Sequence, residues 1–145
     1  GLAAADAQTW RLAAIRTLLS HGIRGVDPLR NEPPSEDGTY DDATQWAGRS
    51  AASSKAVSSK NLFDVRNCDV TLIYLPKAAN EKRTSFGTIL ELGWAYAYNK
   101  PVILVSDDVA VMSHPCIDVC SGWKVQTLNE GLSIAVELLR PYAKK

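Results

Sequence analysis

The segment Ser85-Phe-Gly-Thr-Ile-Leu-Glu91 holds the groups in this sequence best suited to chemistry. It runs from a polar loop into a helix-patterned apolar stretch, so it marks a helix start. Free N–H groups at such a start can hold an anion, and Gly87 lets the backbone turn tightly and approach a ligand. Glu91 falls in about the first turn, where the helix dipole favours a charged carboxylate. Its neighbours Ile89, Leu90 and Leu92 leave one side of it dry. An ionised carboxylate held in this way is suited to attack an anomeric carbon and form a covalent glycosyl intermediate. Thr88-x-x-Glu91 is equally a capping-box spacing, in which the glutamate only satisfies the helix N-terminus. The spacing leaves both readings open.

The elements that must position this segment follow from hydrophobic pattern. Residues Asp6–Ser20 carry a helical stripe through Trp10, Ile15 and Leu18, and His21-Gly22 supplies a stop. Ile23–Leu29 reads as a short extended segment, and Arg30 to Tyr40 as a polar loop. One or two helices are expected between Asp42 and Asn67. Asp69–Leu75 and Pro101–Ser106 are near-continuous apolar runs, the mark of parallel strands buried on both faces. Phe86–Tyr98 is the helix between them. A loop bearing His114 and Cys116, a short strand Trp123–Gln126 and a closing helix Glu130–Leu139 complete the pattern.

This alternation predicts one α/β domain over residues 1–145, a doubly wound open parallel sheet of flavodoxin-like or Rossmann-like type with helices on both faces. Such folds normally open on a central strand, whereas this chain starts just before its first helix. An N-terminal strand is therefore missing, or the sheet is assembled unusually. Ligands of such sheets sit at the carboxyl ends of the strands, here the loops after Leu29, Leu75 and Ser106.

Composition narrows the partners. The 145 residues suit a single core, and sixteen basic side chains balance sixteen acidic ones. That balance gives no electrostatic reason to expect a nucleic-acid polymer or a membrane as partner. The apolar runs are too short to span a bilayer, and no charged-then-apolar leader argues for secretion. Three cysteines form no disulfide framework, which fits a reducing cytoplasm.

Other candidates carry competing readings. Arg30 is placed to contact a phosphate or a base, or else is a solvated loop arginine. Lys82 and Arg83 lie near Ser85 and could draw in an anion. His114 stands in the loop after the second buried strand and could touch substrate or a neighbouring subunit. In His114-Pro-Cys116-Ile-Asp-Val-Cys120 the cysteines lie outside recognised zinc spacings, so a helix-buried cysteine pair is expected and no metal. Trp94, Tyr96 and Tyr98 suit core or subunit packing. No G-x-S-x-G elbow, P-loop or G-x-G-x-x-G is present.

The stretch Asn61 to Val105, with its Gly-Thr-x-x-Glu-Leu-Gly-x-Ala-Tyr-Ala core followed by Lys-Pro-Val, resembles the nucleoside 2-deoxyribosyltransferases and their nucleotide N-hydrolase relatives. Weaker similarity extends to Trp10-Arg11 and Asp27-Pro28-Leu29-Arg30. The resemblance implies that Glu91 is the nucleophile toward C1′ of deoxyribose. It also implies a homodimer or higher homo-oligomer and no cofactor. Relatives acting on free nucleosides tend to carry aspartate where Ser85 stands, and those hydrolysing deoxynucleoside 5′-monophosphates tend to carry serine, so Ser85 tilts the choice toward a nucleotide. A plain N-cap is the other reading of Ser85. Where the family commonly has an aspartate, this chain has Asn61, which hydrogen-bonds but cannot act as a general acid; Asp64, one turn on, is the candidate substitute.

The expected function is cleavage or transfer at the N-glycosidic bond of a deoxynucleoside or its 5′-monophosphate. The runner-up is a nucleotide-binding module of the same fold without turnover.

Overall fold

The computed structural model describes residues 4–30, 32, 53, 56–77 and 85–140. Helix α1 (Ala4–Ser20) ends where Gly22 takes a left-handed φ of 74°. There the Ile23 amide donates to the Leu18 carbonyl and the Gly22 amide to the Leu19 carbonyl, closing the helix in a Schellman motif. Helix α2 (Val57–Asn67) leads into strand β1 (Thr71–Tyr74). Helix α3 (Phe86–Ala97) crosses to strand β2 (Val102–Val105). Two short helices, α4 (Val109–Ser113) and α5 (Pro115–Asp118), precede strand β3 (Trp123–Val125), and α6 (Leu128–Leu139) closes the described chain.

The three strands are parallel and ordered β1-β2-β3, with Thr71 opposite Val102 and Ile103 opposite Trp123. Side chains alternate across the sheet as a period of two requires. Ile73, Val102 and Leu104 pack with Val65, Leu92, Ala95 and Ile117 on the face covered by α2, α3 and α5. Ile103 and Val105 pack with Ala135, Leu18, Leu72 and Tyr74 on the face covered by α1 and α6. All four residues of β2 are buried, as its unbroken apolar run foretells. The open α/β architecture with helices on both faces is therefore that expected from the sequence.

Gly131 sets how closely α6 approaches the sheet. A Cβ at this position would lie 2.5 Å from Val105 Cγ2. Gly131→Ala is therefore expected to destabilise by about 1–2 kcal/mol, overpacking outweighing the gain in helix propensity. A lowered urea midpoint would show it; an unchanged midpoint would mean that α6 moves aside freely.

Three expectations are corrected. Ile23–Leu29 joins no strand ladder: the Asp27 carboxylate accepts from the Leu29 amide at 2.9 Å, and the chain turns over residues 28–30. The segment holding His114 and Cys116 is not a plain loop. Asp108 caps α4, and His114 Nδ1 caps α5 by accepting from the Cys116 amide, with Pro115 in the first turn. The cysteines there are not a buried pair, because Cys116 is exposed and Cys120 only half-buried. Of the helices expected between residues 42 and 67, α2 is described; the stretch before Ser53 lies outside the described residues, as do Lys82 and Arg83.

Candidate active site

The strand ends meet at one edge of the sheet. Buried Ser106 ties two of them, its hydroxyl donating to the Leu75 carbonyl at 2.6 Å and accepting from the Asp108 amide at 3.1 Å. The Asp107 carboxylate accepts from the Lys77 amide at 2.7 Å, joining the loops that leave β1 and β2.

Glu91 is the sixth residue of α3, past its first turn. Ser85 is the N-cap and accepts from the Thr88 amide, with no acidic residue in the first turn. The capping-box reading of Thr88 and Glu91 is thereby overturned: Thr88 occupies the third helical position and donates to Ser85 through both its amide and its hydroxyl. Gly87 makes no tight turn. It is helical and exposed, with open space over its α-carbon.

Leu92 and Ala95 anchor α3 in the core, and Glu91 stands beside them half-buried. Asn61, from α2, donates its Nδ2 to Glu91 Oε1 at 2.8 Å. The Asn61 carbonyl Oδ1 accepts in turn from Lys60 Nζ at 2.9 Å. Lys60 also donates to the Pro28 carbonyl and pairs with Glu32 at 3.0 Å, the two side chains only 9% and 3% exposed.

A second chain of charges borders the first. Arg30 grips Asp64 with both terminal nitrogens and donates to the Asp27 carbonyl at 3.0 Å. Asp27 faces Arg11 at 3.6 Å. The Arg11 guanidinium lies 4.8 Å over the ring of Trp10, which packs edge-on against Tyr74 at the end of β1. Arg11 thus reaches the same edge of the sheet as Glu91.

Burial pushes the Glu91 carboxyl up from the ordinary 4.5 to about 7. The positive charges of Arg11 and Lys60 pull it down, Glu32 pushes it up, and the Asn61 hydrogen bond lowers it. The group is poised to exchange its proton near neutrality, a perturbation of the kind that clusters at functional sites.

Of the residues singled out in the sequence, the structure joins Glu91 to Asn61 and gathers Ser85, Gly87 and Thr88 at the start of the same helix. Asp64, the candidate substitute for a general acid, is held by Arg30 through both carboxylate oxygens. Arg30 is accordingly no free loop arginine. His114 serves as the cap of α5. Sequence reasoning missed Lys60, Glu32 and Arg11. Only the Trp10-Arg11 pair gave any signal, through the resemblance. Among the described residues, no group of three or more His, Cys, Asp or Glu side chains is gathered that could hold a metal. Among the same described residues, no helix is long and apolar enough to cross a membrane.

An open parallel α/β sheet flanked by helices defines a Rossmann-like domain, and the half-buried glutamate on the helix after the first described strand is its candidate site. The chain belongs to the nucleoside 2-deoxyribosyltransferase family, whose model matches residues 2–136. Membership assigns it to enzymes that act on small nucleosides. No curated protein matches it.

Proposed function

We propose that the protein cleaves or exchanges the N-glycosidic bond of a 2′-deoxynucleoside or its 5′-monophosphate through a deoxyribosyl ester on Glu91. The observation that carries this reading is the half-buried Glu91 carboxylate with one oxygen held by Asn61. Asn61 engages Oε1, and Oε2 attacks C1′. The C1′–N bond breaks, its electron pair leaves with the base, and the base takes up a proton. Water, or the nitrogen of a second base, then attacks C1′, releases the carboxylate and loses a proton.

The exposed start of α3 supports a nucleotide substrate. Ser85 accepts from Thr88, which leaves its own hydroxyl hydrogen to give to a phosphate oxygen beside the helix N–H groups. Arg30 is tied to Asp64 and so offers such a phosphate no free fork. A homo-oligomer is part of the same proposal, through the family alone.

The test is base release from deoxynucleosides and their 5′-monophosphates, with and without an acceptor base, for wild type and Glu91→Gln. Release or exchange confined to wild type supports the reading. Tight binding without any release would leave a nucleotide-binding module. The attacking form is the carboxylate, so kcat/KM is expected to rise with pH through about 7 and level off above it. A rate flat between pH 5 and 8 would contradict Glu91 as the titrating nucleophile.

A further inference from the structure

We propose that Lys60 is a positioning residue: its ammonium fixes which end of the Asn61 amide faces Glu91, and so keeps Glu91 in its attacking form. The inference rests on the reading of Glu91 as the nucleophile. A primary amide has two ends of similar size and opposite function, an acceptor oxygen and a donor NH₂. Only one orientation gives Glu91 a donated hydrogen bond, and that is the orientation seen, with Nδ2 on Glu91 Oε1 at 2.8 Å.

Glu91 alone does not choose between the two ends. A protonated Glu91 would donate equally well to Oδ1 of a flipped amide. The ammonium does choose, because it can only donate. Lys60 Nζ meets Asn61 Oδ1 at 2.9 Å, and a flip would set NH₂ against it. The ammonium is itself fixed: it donates to the Pro28 carbonyl and to Asn61 Oδ1, and it pairs with the Glu32 carboxylate at 3.0 Å. Its side chain is 9% exposed, so this triangle is not a solvated contact. The lysine thereby ties the turn after α1 to α2 and passes that constraint to the carboxylate on α3.

The charged groups around Glu91 come from every element packed there. They are Arg11 on α1, Glu32 beyond the turn and Lys60 on α2. Asp27, Arg30 and Asp64 are paired beside them. Lys60 therefore acts on Glu91 in two separable ways, as a nearby charge and through the amide, and only the second is the proposal.

A double-mutant cycle separates them. Carboxyl-carbon NMR would follow the titration of Glu91, its signal identified by loss in Glu91→Gln. Lys60→Met and Asn61→Leu would be combined singly and together on a Glu32→Gln background, which removes the buried charge that Lys60 otherwise neutralises. With Asn61 present, Lys60→Met is expected to raise the Glu91 midpoint by about one pH unit or more. With Asn61→Leu the rise should be clearly smaller. Equal shifts in both backgrounds would reduce Lys60 to a nearby charge and overturn the proposal. In turnover, the Lys60→Met variant should lose about tenfold in kcat at pH 6.5, regain most of it at higher pH, and keep KM within about threefold. A loss in KM alone would also overturn it. The titration does not require activity. An inactive wild type would thus defeat the proposed function, while equal shifts in an active protein would defeat only the role of Lys60.

Discussion

Glu91→Gln is expected to lower base release by at least about 10³-fold while making the folded protein more stable above neutral pH. The loss follows from chemistry. An amide keeps the shape and can still accept from Asn61, but it has no anionic oxygen to form an ester at C1′. The gain follows from the raised acidity constant. Burial is its largest cause and holds Glu91 at about 7 against 4.5, so the folded state binds the proton more tightly than the unfolded chain does. Between those values the folded state carries the extra proton, and stability falls as pH rises. Above about 7 the full cost of the buried charge is present; below about 4.5 it vanishes. At roughly 1.4 kcal/mol per pKa unit the ceiling is about 3 kcal/mol, and a gain of about 1–2 kcal/mol at pH 8 is a fair expectation after solvent screening. Urea unfolding at pH 5 and pH 8 checks it. A variant less stable at pH 8 than wild type would mean that the carboxylate contributes to holding the fold.

The second large effect concerns the pair beneath the site. Lys60→Met alone should cost about 3–5 kcal/mol, because it takes away a cation 3.0 Å from the Glu32 carboxylate, which is only 3% exposed. Adding Glu32→Gln should recover most of that loss, since a neutral amide buried beside a methionine carries no uncompensated charge. Chemical denaturation of the two variants and of Glu32→Gln alone closes the comparison. A single variant that loses under about 1 kcal/mol would show the pair to be solvated in solution, contrary to its burial.

How much of this was legible beforehand depends on the range over which each signal acts. The β2 run is apolar at every position because both faces of that strand are covered, and that shows in the sequence without partners. The stop at Gly22 was legible because a left-handed residue there is a local demand. The two short helices after β2 read as loop from the sequence alone. Their caps, Asp108 and His114, precede pieces of only five and four residues, too short for a hydrophobic period to register. Glu91 stayed ambiguous because a capping box and a nucleophile share one spacing. The ambiguity ended only when Ser85 proved to be the cap.

Lys60 and Glu32 are beyond reach for another reason. A charged side chain in a polar stretch ordinarily points to water. What buries Lys60 is the turn over residues 28–30, more than a dozen positions removed along the chain, together with a carboxylate from Glu32. Ile23–Leu29 shows the converse. Its composition suits a strand, yet it joins no ladder among the described residues, and the Asp27 side chain accepts from the Leu29 amide where the chain turns.

The placement of Glu91 beside Leu92 has a consequence for redesign. Leu92 is 2% exposed and Ala95 fully enclosed, so the rotation of α3 about its own axis is locked by the hydrophobic interior. A turn of the helix large enough to re-aim the glutamate would lift Leu92 out of its socket. Laboratory evolution toward new sugars or leaving groups should therefore leave the buried part of α3 untouched and accumulate changes around the exposed Ser85. On the proposed reading the nucleophile would keep a fixed mount, and substrate choice would change at the exposed start of the helix.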